Sequence, residues 1–150
     1  MRVSVIGGSS VPPDTAAVAT ELGSLLADRG HTVVCGGLGG VMEAVCRGAR
    51  EAGGETIGIL PTARREDANP YVTTPIATGL GHARNALVVL NGDVVIAIDG
   101  SGGTLSEIGL ALAHDRVVAG LDTHDVDGIE AVDSPAAAVT HVETAATKHE

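Results

Sequence analysis

The chain almost lacks aromatic residues and lysine. It has no Phe and no Trp, its only tyrosine is Tyr71, and its only lysine is Lys148, close to the carboxyl end. The core must therefore be built from Val, Ile, Leu and Ala, and apart from Tyr71 and the histidines no aromatic platform exists on which bases can stack. A single lysine in the tail also excludes pyridoxal phosphate chemistry, which needs a buried Schiff-base lysine.

The formal net charge of −10 is a second informative property. An acidic surface repels a phosphate polymer, so we expect no nucleic-acid partner. Abundant Asp and Glu, scarce Lys and small apolar residues are typical of a halophilic protein adapted to a salty cytoplasm. No apolar run approaches the ~20 residues of a membrane span. Cys35 and Cys46 show no CxxC spacing and are expected to be reduced, partly buried thiols, which favours a cytoplasmic location without a membrane partner.

Short apolar runs alternate with amphipathic segments along the chain. Strands are predicted over 2–6, 31–35, 55–60, 72–77, 93–97 and 116–121. Helices are predicted from a cap at Asp14 or Thr15 to about Arg29, over 41–52, 79–90 and 104–114, and from the Ser134-Pro135 pair onward. Residues 61–70 are predicted to form a rim or lid, and the acidic segment 122–133 a turn-rich, solvated surface.

These spacings require crossover connections between parallel strands. The predicted fold class is α/β, with a single doubly wound parallel sheet in a Rossmann-like, three-layer arrangement. At 150 residues we expect one domain, 1–150. Ligands of such sheets bind at the carboxyl ends of the strands.

Three glycine-rich loops fall at that edge, each between a strand and a helix. They suit an anion, because free backbone N–H groups and the helix dipole both favour negative charge. The candidate phosphate- or nucleotide-binding residues are Gly8, Ser9, Gly37, Leu38, Gly39, Gly40, Gly100, Ser101, Gly102, Gly103 and Thr104. None of the loops reads GxGxxG or GxxxxGK[ST], so binding of NAD and hydrolysis of ATP by a Walker motif are not expected.

The segments Gly36-Gly37-Leu38-Gly39-Gly40-Val41-Met42-Glu43, Thr78-Gly79-Leu80-Gly81-His82-Ala83-Arg84-Asn85 and Gly100-Ser101-Gly102-Gly103-Thr104-Leu105-Ser106-Glu107 resemble a known family. They are similar to the LOG-like Rossmann superfamily (SLOG), often called lysine decarboxylase-like. That group includes cytokinin-activating phosphoribohydrolases, relatives of the DNA-processing protein DprA, and molybdenum-cofactor carrier proteins.

The phosphoribohydrolases carry the motif PGGxGTxxE after a helix with an essential arginine. The resemblance places Glu107 at the catalytic glutamate and Arg84 at the arginine. Asn85, a further candidate for phosphate or nucleotide binding, stands at a position that is usually lysine. Asp99 replaces the proline of the motif and Ser101 replaces its second glycine. The resemblance also implies a homo-oligomer, a dimer or a tetramer.

Two classes of function follow. In an enzyme that hydrolyses nucleoside 5′-monophosphates to free base and ribose 5-phosphate, Glu107 would stabilise the developing positive charge on the ribose and activate water, while Arg84 would hold the ribose hydroxyls or the phosphate. In the alternative, the protein is a non-catalytic carrier or sensor of a nucleotide or pterin (molybdenum) cofactor. Whether the chain is an enzyme therefore stays open, and its expected partner is a small-molecule nucleotide or phosphoribosyl ligand.

Each candidate residue also has a purely structural interpretation. The motif Thr104-x-x-Glu107 can be interpreted as a capping box at a helix start, where the helix dipole favours an ionised Glu107. Arg84 can equally be interpreted as a solvated charge on a helix. Glu43 and His82 are further candidates, interpreted alternatively as a helix-start carboxylate and a structural turn histidine. The six histidines show no HxH or HExxH spacing, so neither a metal site nor a resident cofactor is expected.

Overall fold

The computed structural model describes residues 1–148. Seven strands are present: β1 (Arg2–Gly7), β2 (Thr32–Cys35), β3 (Thr56–Leu60), β4 (Thr74–Ala77), β5 (Val94–Ile98), β6 (Val118–Leu121) and β7 (Glu130–Val132). Five α-helices accompany them: α1 (Pro13–Asp28), α2 (Val41–Glu51), α3 (Asn85–Leu90), α4 (Gly102–Ala113) and α5 (Pro135–Lys148). Two short 3₁₀ turns cover Arg65–Asp67 and Gly81–Arg84.

The strands form one sheet in the order β4-β3-β2-β1-β5-β6-β7, and every neighbouring pair is parallel. Val3 of β1 pairs with Val33 on one side and with Val94 on the other. The strand order therefore reverses beside β1, and the carboxyl ends of β1 and β5 open into the crevice where such sheets bind ligands. The predicted doubly wound parallel sheet is confirmed.

Helices cover both faces of the sheet, which confirms the three-layer arrangement. One apolar cluster joins β1 to α1, α2 and α5, with Leu22 and Val45 at its centre. The other joins the opposite face to α3 and α4 through Val88 and Ile108. Aliphatic side chains dominate both clusters, as the near-absence of aromatic residues requires. Over residues 1–148 no helix is long and apolar enough to cross a membrane.

Two glycines let α1 and α2 approach unusually closely. A Cβ on Gly23 would overlap the carbonyl oxygen of Val45, and a Cβ on Gly48 would overlap that of Thr20. The two helix backbones are therefore in direct contact, which fixes the position of α2 and of the glycine loop that precedes it.

Several predicted boundaries need correction. The helix predicted over 79–90 is a 3₁₀ turn followed by the short α3, and α4 begins at Gly102 rather than at Thr104. Neither Asp14 nor Thr15 caps α1, because the cap position is Pro12 and no side chain bonds there. The acidic segment 122–133 is not wholly turn, since β7 adds a seventh strand at the sheet edge.

The predicted start of the last helix is confirmed. Pro135 is the first residue of α5, and the Ser134 hydroxyl accepts a hydrogen bond from the Ala137 N–H at 3.1 Å. This is the expected combination of an N-cap serine with proline at the first helical position.

Candidate functional site

A cavity of about 380 Å³ opens at the carboxyl ends of the central strands. It receives residues from β1, from the loops after β2, β3 and β5, from the Gly81–Arg84 turn and from α4. Its lining residues are Val5, Ile6, Gly7, Ser9, Gly36, Leu38, Met42, Pro61, Gly81, His82, Arg84, Asn85, Ser101, Gly103, Thr104 and Glu107. The volume is that of a site for a small molecule.

Arg84 is a buried cation in the wall of this cavity, with only 8% of its surface exposed. Its Nε donates a hydrogen bond to the Ile59 carbonyl oxygen at 2.9 Å, and its Nη1 donates to Oδ1 of Asn85. These two bonds hold the guanidinium plane and leave further N–H groups of its five for a ligand. The interpretation of Arg84 as a solvated helix charge is wrong.

The guanidinium of Arg84 lies directly against the backbone of Gly36. A Cβ on Gly36 would lie 2.6 Å from Nη2 of Arg84 and 2.7 Å from Sδ of Met42. Only glycine at this position leaves room for both side chains. Met42 and Leu38 form an apolar part of the same cavity wall.

Glu107 is the second buried charged group of the cavity and is also 8% exposed. Burial raises the pKa of its carboxyl to about 7, and the nearby Arg84 opposes that rise. Within residues 1–148, the carboxylate of Glu107 accepts no hydrogen bond, and no fully buried side-chain oxygen or nitrogen lacks a partner. The oxygens of Glu107 must therefore reach the cavity.

This geometry overturns two expectations for Glu107. Because α4 begins at Gly102, Glu107 is its sixth residue, beyond the first turn, and the capping box with Thr104 is not formed. The expected effect of the helix dipole is weaker than desolvation, so the carboxyl is shared between its protonated and ionised forms near neutral pH instead of being firmly ionised.

Arg84 and Glu107 influence each other without forming a direct ion pair in the described part of the chain. Burial lowers the pKa of the Arg84 guanidinium, and the charge of Glu107 partly restores it. Two opposite formal charges thus line one cavity, each with hydrogen-bonding capacity to spare.

The candidate loop residues divide into two groups. Ser9, Leu38, Asn85, Ser101, Gly103 and Thr104 line the cavity, as does His82. The second group does not line the cavity and consists of Gly8, Gly37, Gly39, Gly40, Gly100 and Gly102. Its buried members allow the loops to pack closely against the rest of the protein.

The first two glycine loops pack against each other. The Gly8 carbonyl accepts a hydrogen bond from the Val41 N–H at 2.9 Å, and a Cβ on Gly40 would overlap that same carbonyl. The Gly37 carbonyl accepts a bond from the Asn69 N–H at 2.9 Å, and Nδ2 of Asn69 donates to the Leu38 carbonyl, also at 2.9 Å. Asn69 therefore ties the 61–70 segment, predicted as a rim, to the second loop.

The third loop has an unusual backbone at its start. Asp99 has a φ of 52° and Gly100 a φ of 113°, so two consecutive residues lie in the left-handed region. The Thr123 hydroxyl donates to the Asp99 carbonyl at 2.6 Å and holds this conformation. Proline cannot adopt such a φ, so the loop differs here from one that starts with proline, as the motif PGGxGTxxE does.

Other candidates lie apart from the cavity. Glu43 is exposed on α2 and borders a separate, more open groove. Cys35 and Cys46 are fully buried, although the sequence predicted only partial burial.

The sequence did not single out Pro61 and Gly81, which also line the cavity. Pro61 directly follows β3, so its position at the carboxyl edge of the sheet could have indicated it.

The fold and the position of the cavity define a Rossmann-like α/β protein with a ligand-sized site at the switch point of its sheet. The chain belongs to the SLOG cluster4 family, whose model matches residues 1–149, and thus to the LOG-like superfamily. An uncharacterized protein of Archaeoglobus fulgidus is 39% identical over 150 residues, which cover 99% of this chain and 98% of that protein.

Two further relatives have descriptive names. The molybdenum cofactor binding protein from Rippkaea orientalis, whose structure has been solved, is 36% identical to this chain in sequence. The two structures match over 96% of each chain with a TM-score of 0.89. The cytokinin riboside 5′-monophosphate phosphoribohydrolase of Mycobacterium tuberculosis is 34% identical over 115 residues, which cover 70% of this chain and 61% of the enzyme. The chain therefore spans less than two thirds of that enzyme.

Proposed function

We propose that the cavity binds a phosphorylated heterocyclic compound, either a pterin cofactor of the molybdenum type or a nucleoside 5′-monophosphate. The observation that carries this proposal is the pair of buried groups Arg84 and Glu107, which line one cavity without pairing directly. Buried charges are costly unless they find partners. A phosphate would satisfy the free N–H groups of Arg84, and ring or ribose donors would satisfy Glu107.

Binding without turnover is the version that we favour. The similarity to the molybdenum cofactor binding protein of Rippkaea orientalis extends over 96% of both chains. Two departures from the hydrolase motif support the same choice, because Asn85 is used to hold Arg84 and the left-handed Asp99 changes the start of the third loop. In this version the cavity is a carrier site, and Glu107 recognises the bound ring without reacting.

Hydrolysis of a nucleoside 5′-monophosphate is the second version, and the retention of both Arg84 and Glu107 favours it. A carboxyl with a pKa of about 7 is ionised in a large fraction of molecules at neutral pH. Such a carboxylate can accept a proton from attacking water and stabilise positive charge on the ribose as the base departs. Arg84 would then hold the phosphate.

Chromatographic detection of free base separates the two versions. The protein is incubated with a panel of nucleoside 5′-monophosphates at high KCl, alongside Glu107→Gln and Glu43→Gln. Glu43 is a matched control, since it is an exposed carboxylate on α2, outside the cavity. Base release that is lost only in Glu107→Gln supports hydrolysis.

Ligand-induced thermal stabilisation without base release supports the carrier version. If the folded protein neither releases base nor gains thermal stability with any phosphorylated nucleotide or pterin, the proposed function is wrong, because a ligand of the native state must raise the unfolding temperature.

A further inference from the structure

Two thiols lie side by side behind the wall of the cavity. Cys35 is the last residue of β2, Cys46 lies on α2, and their Sγ atoms are 3.5 Å apart. Both side chains have no exposed surface. They form a small cluster with Met42, and Tyr71 packs against it.

The two sulfurs have different hydrogen-bond partners and their pKa values are shifted in opposite directions. The Gly37 N–H donates a hydrogen bond to Sγ of Cys35 at 3.4 Å. A hydrogen bond with Cys46, helped by the Gly37 N–H and the charge of Arg84, lowers the pKa of the Cys35 thiol below its ordinary value, although burial and the charge of Glu107 oppose this. The same bond and burial raise the pKa of Cys46. The Gly37 N–H and the charge of Arg84 thus favour the thiolate form at Cys35, whereas burial disfavours it at Cys46.

We infer that Cys35 and Cys46 form a redox-active dithiol that a hydroperoxide converts into a reversible disulfide. The inference rests on the contact between the two sulfurs and on the Gly37 N–H, a backbone donor that hydrogen-bonds to Sγ of Cys35. Low-pKa thiols beside cationic or N–H groups and next to a second cysteine are those that peroxides oxidise selectively once a peroxide reaches them. Since neither thiol is exposed, the peroxide has to enter past the residues that cover them. The folded backbone already holds the resolving thiol in contact with the attacking one.

The chemistry with hydrogen peroxide balances in two steps. The Cys35 thiolate attacks one peroxide oxygen and the O–O bond breaks, which oxidises Cys35 to a sulfenic acid. The hydroxide that leaves takes up the proton that the Cys35 thiol released on ionising, and this gives the first water. Sγ of Cys46 then attacks the sulfenic sulfur, the S–S bond forms and the S–O bond breaks. The departing hydroxide takes the proton of Cys46, so that two thiols and one peroxide give one disulfide and two waters.

Oxidation would also reach the cavity wall. A disulfide bond is about 2 Å long, so the sulfurs must approach by about 1.5 Å. If Sγ of Cys35 moves, the Gly37 N–H loses its hydrogen-bond acceptor. Gly37 lies between Gly36 and Leu38, which both line the cavity. An effect of this movement on ligand binding rests on the proposed function, whereas the disulfide itself does not.

The test uses the whole folded chain and no ligand. The protein is treated with stoichiometric hydrogen peroxide, unfolded, alkylated and weighed by mass spectrometry, with circular dichroism recorded before unfolding. We expect loss of both alkylatable thiols, a mass lower by two hydrogen atoms, and full recovery with dithiothreitol. Emission from Tyr71, the only tyrosine in a chain without tryptophan, should fall on oxidation because the new disulfide lies beside it.

Single variants identify the two roles. Cys46→Ser should stop at a sulfenic acid on Cys35, detectable with a dimedone reagent, and Cys35→Ser should leave Cys46 unoxidised. The inference is overturned if both thiols of the folded wild type stay alkylatable after peroxide, or if they react only after unfolding. Because the wild-type experiment decides this alone, a variant that fails to fold does not affect the outcome.

Discussion

Arg84 and Glu107 line the same cavity, each more than nine-tenths buried, yet no direct ion pair joins them in the described residues. Arg84 is instead held from behind by the Ile59 carbonyl and by Asn85, while the carboxylate of Glu107 reaches open space. Two opposite charges thus remain available to a bound ligand, and the predictions for the site follow from this arrangement.

Glu107 should make the protein less stable as the pH rises through the range where Glu107 ionises. Its pKa is raised from 4.5 to about 7 in the folded state, so between those values the folded chain binds more protons than the unfolded chain. The stabilisation is complete below about pH 4.5 and lost as the pH passes about 7. Glu107→Gln removes this dependence and should raise the unfolding free energy at about pH 8, relative to wild type, by on the order of 3 kcal/mol.

Chemical denaturation at about pH 5 and pH 8 measures this difference. Glu43→Gln is the control, because Glu43 is an exposed carboxylate outside the cavity. An equal effect of Glu107→Gln at both values would contradict the raised pKa.

Arg84→Lys should impair ligand binding more than it impairs folding. Lysine keeps the charge but cannot donate to both the Ile59 carbonyl and Asn85 while facing the cavity. We expect the affinity for the most strongly stabilising phosphorylated compound to fall at least about tenfold, the loss of one charged hydrogen bond. Calorimetry checks this, with Arg50→Lys on the exposed face of α2 as the control. Unchanged affinity would remove Arg84 from the site.

Gly36→Ala should displace the guanidinium of Arg84. The added methyl group would lie 2.6 Å from Nη2 of Arg84 and 2.7 Å from Sδ of Met42, and Arg84 is not free to swing away. Ligand affinity should therefore fall. Gly109→Ala is the matched control, because its Cβ meets nothing within 4 Å. That control should leave binding intact and stabilise α4 by about 0.5–1 kcal/mol.

Gly48→Ala should destabilise the fold itself. Its Cβ would overlap the Thr20 carbonyl oxygen, a backbone atom that can move only if α1 and α2 separate. Overpacking of this kind costs about 1–3 kcal/mol, or more where backbone must shift. Thermal unfolding beside Gly109→Ala measures it, and equal melting temperatures for the two variants would show that the close helix contact does not exist.

The fold was largely predictable because each central strand is a short, nearly continuous apolar run such as 93–97 or 31–35. The edge strand β7 escaped prediction, since Glu130-Ala131-Val132 has one apolar β-branched residue within an acidic segment. Its pairing with β6 is a tertiary effect that no local pattern contains.

The sequence selected several of the residues that line the cavity, but it did not predict their electrostatic environment. The resemblance identified Arg84 and Glu107 as candidates, but the burial of Arg84 depends on Ile59 and Gly36, which are distant in sequence. The pKa of Glu107 depends in turn on its burial and on the nearby Arg84, which are both results of tertiary packing. The first residue of α4 was also mispredicted, because the helix begins within a run of glycines. The contact between Cys35 and Cys46 likewise joins a strand to a helix across the second glycine loop.

The most direct test of the central claim is to identify what the protein carries. Wild type and Arg84→Lys are purified from the same cells at high KCl, denatured, and the released small molecules are analysed by chromatography with mass spectrometry. We expect a phosphorylated pterin or nucleotide with wild type and a strongly reduced amount with Arg84→Lys. Equal amounts from both proteins would contradict the account. It would also be contradicted if the folded wild type released no phosphorylated compound and if neither nucleotides nor pterins raised its unfolding temperature.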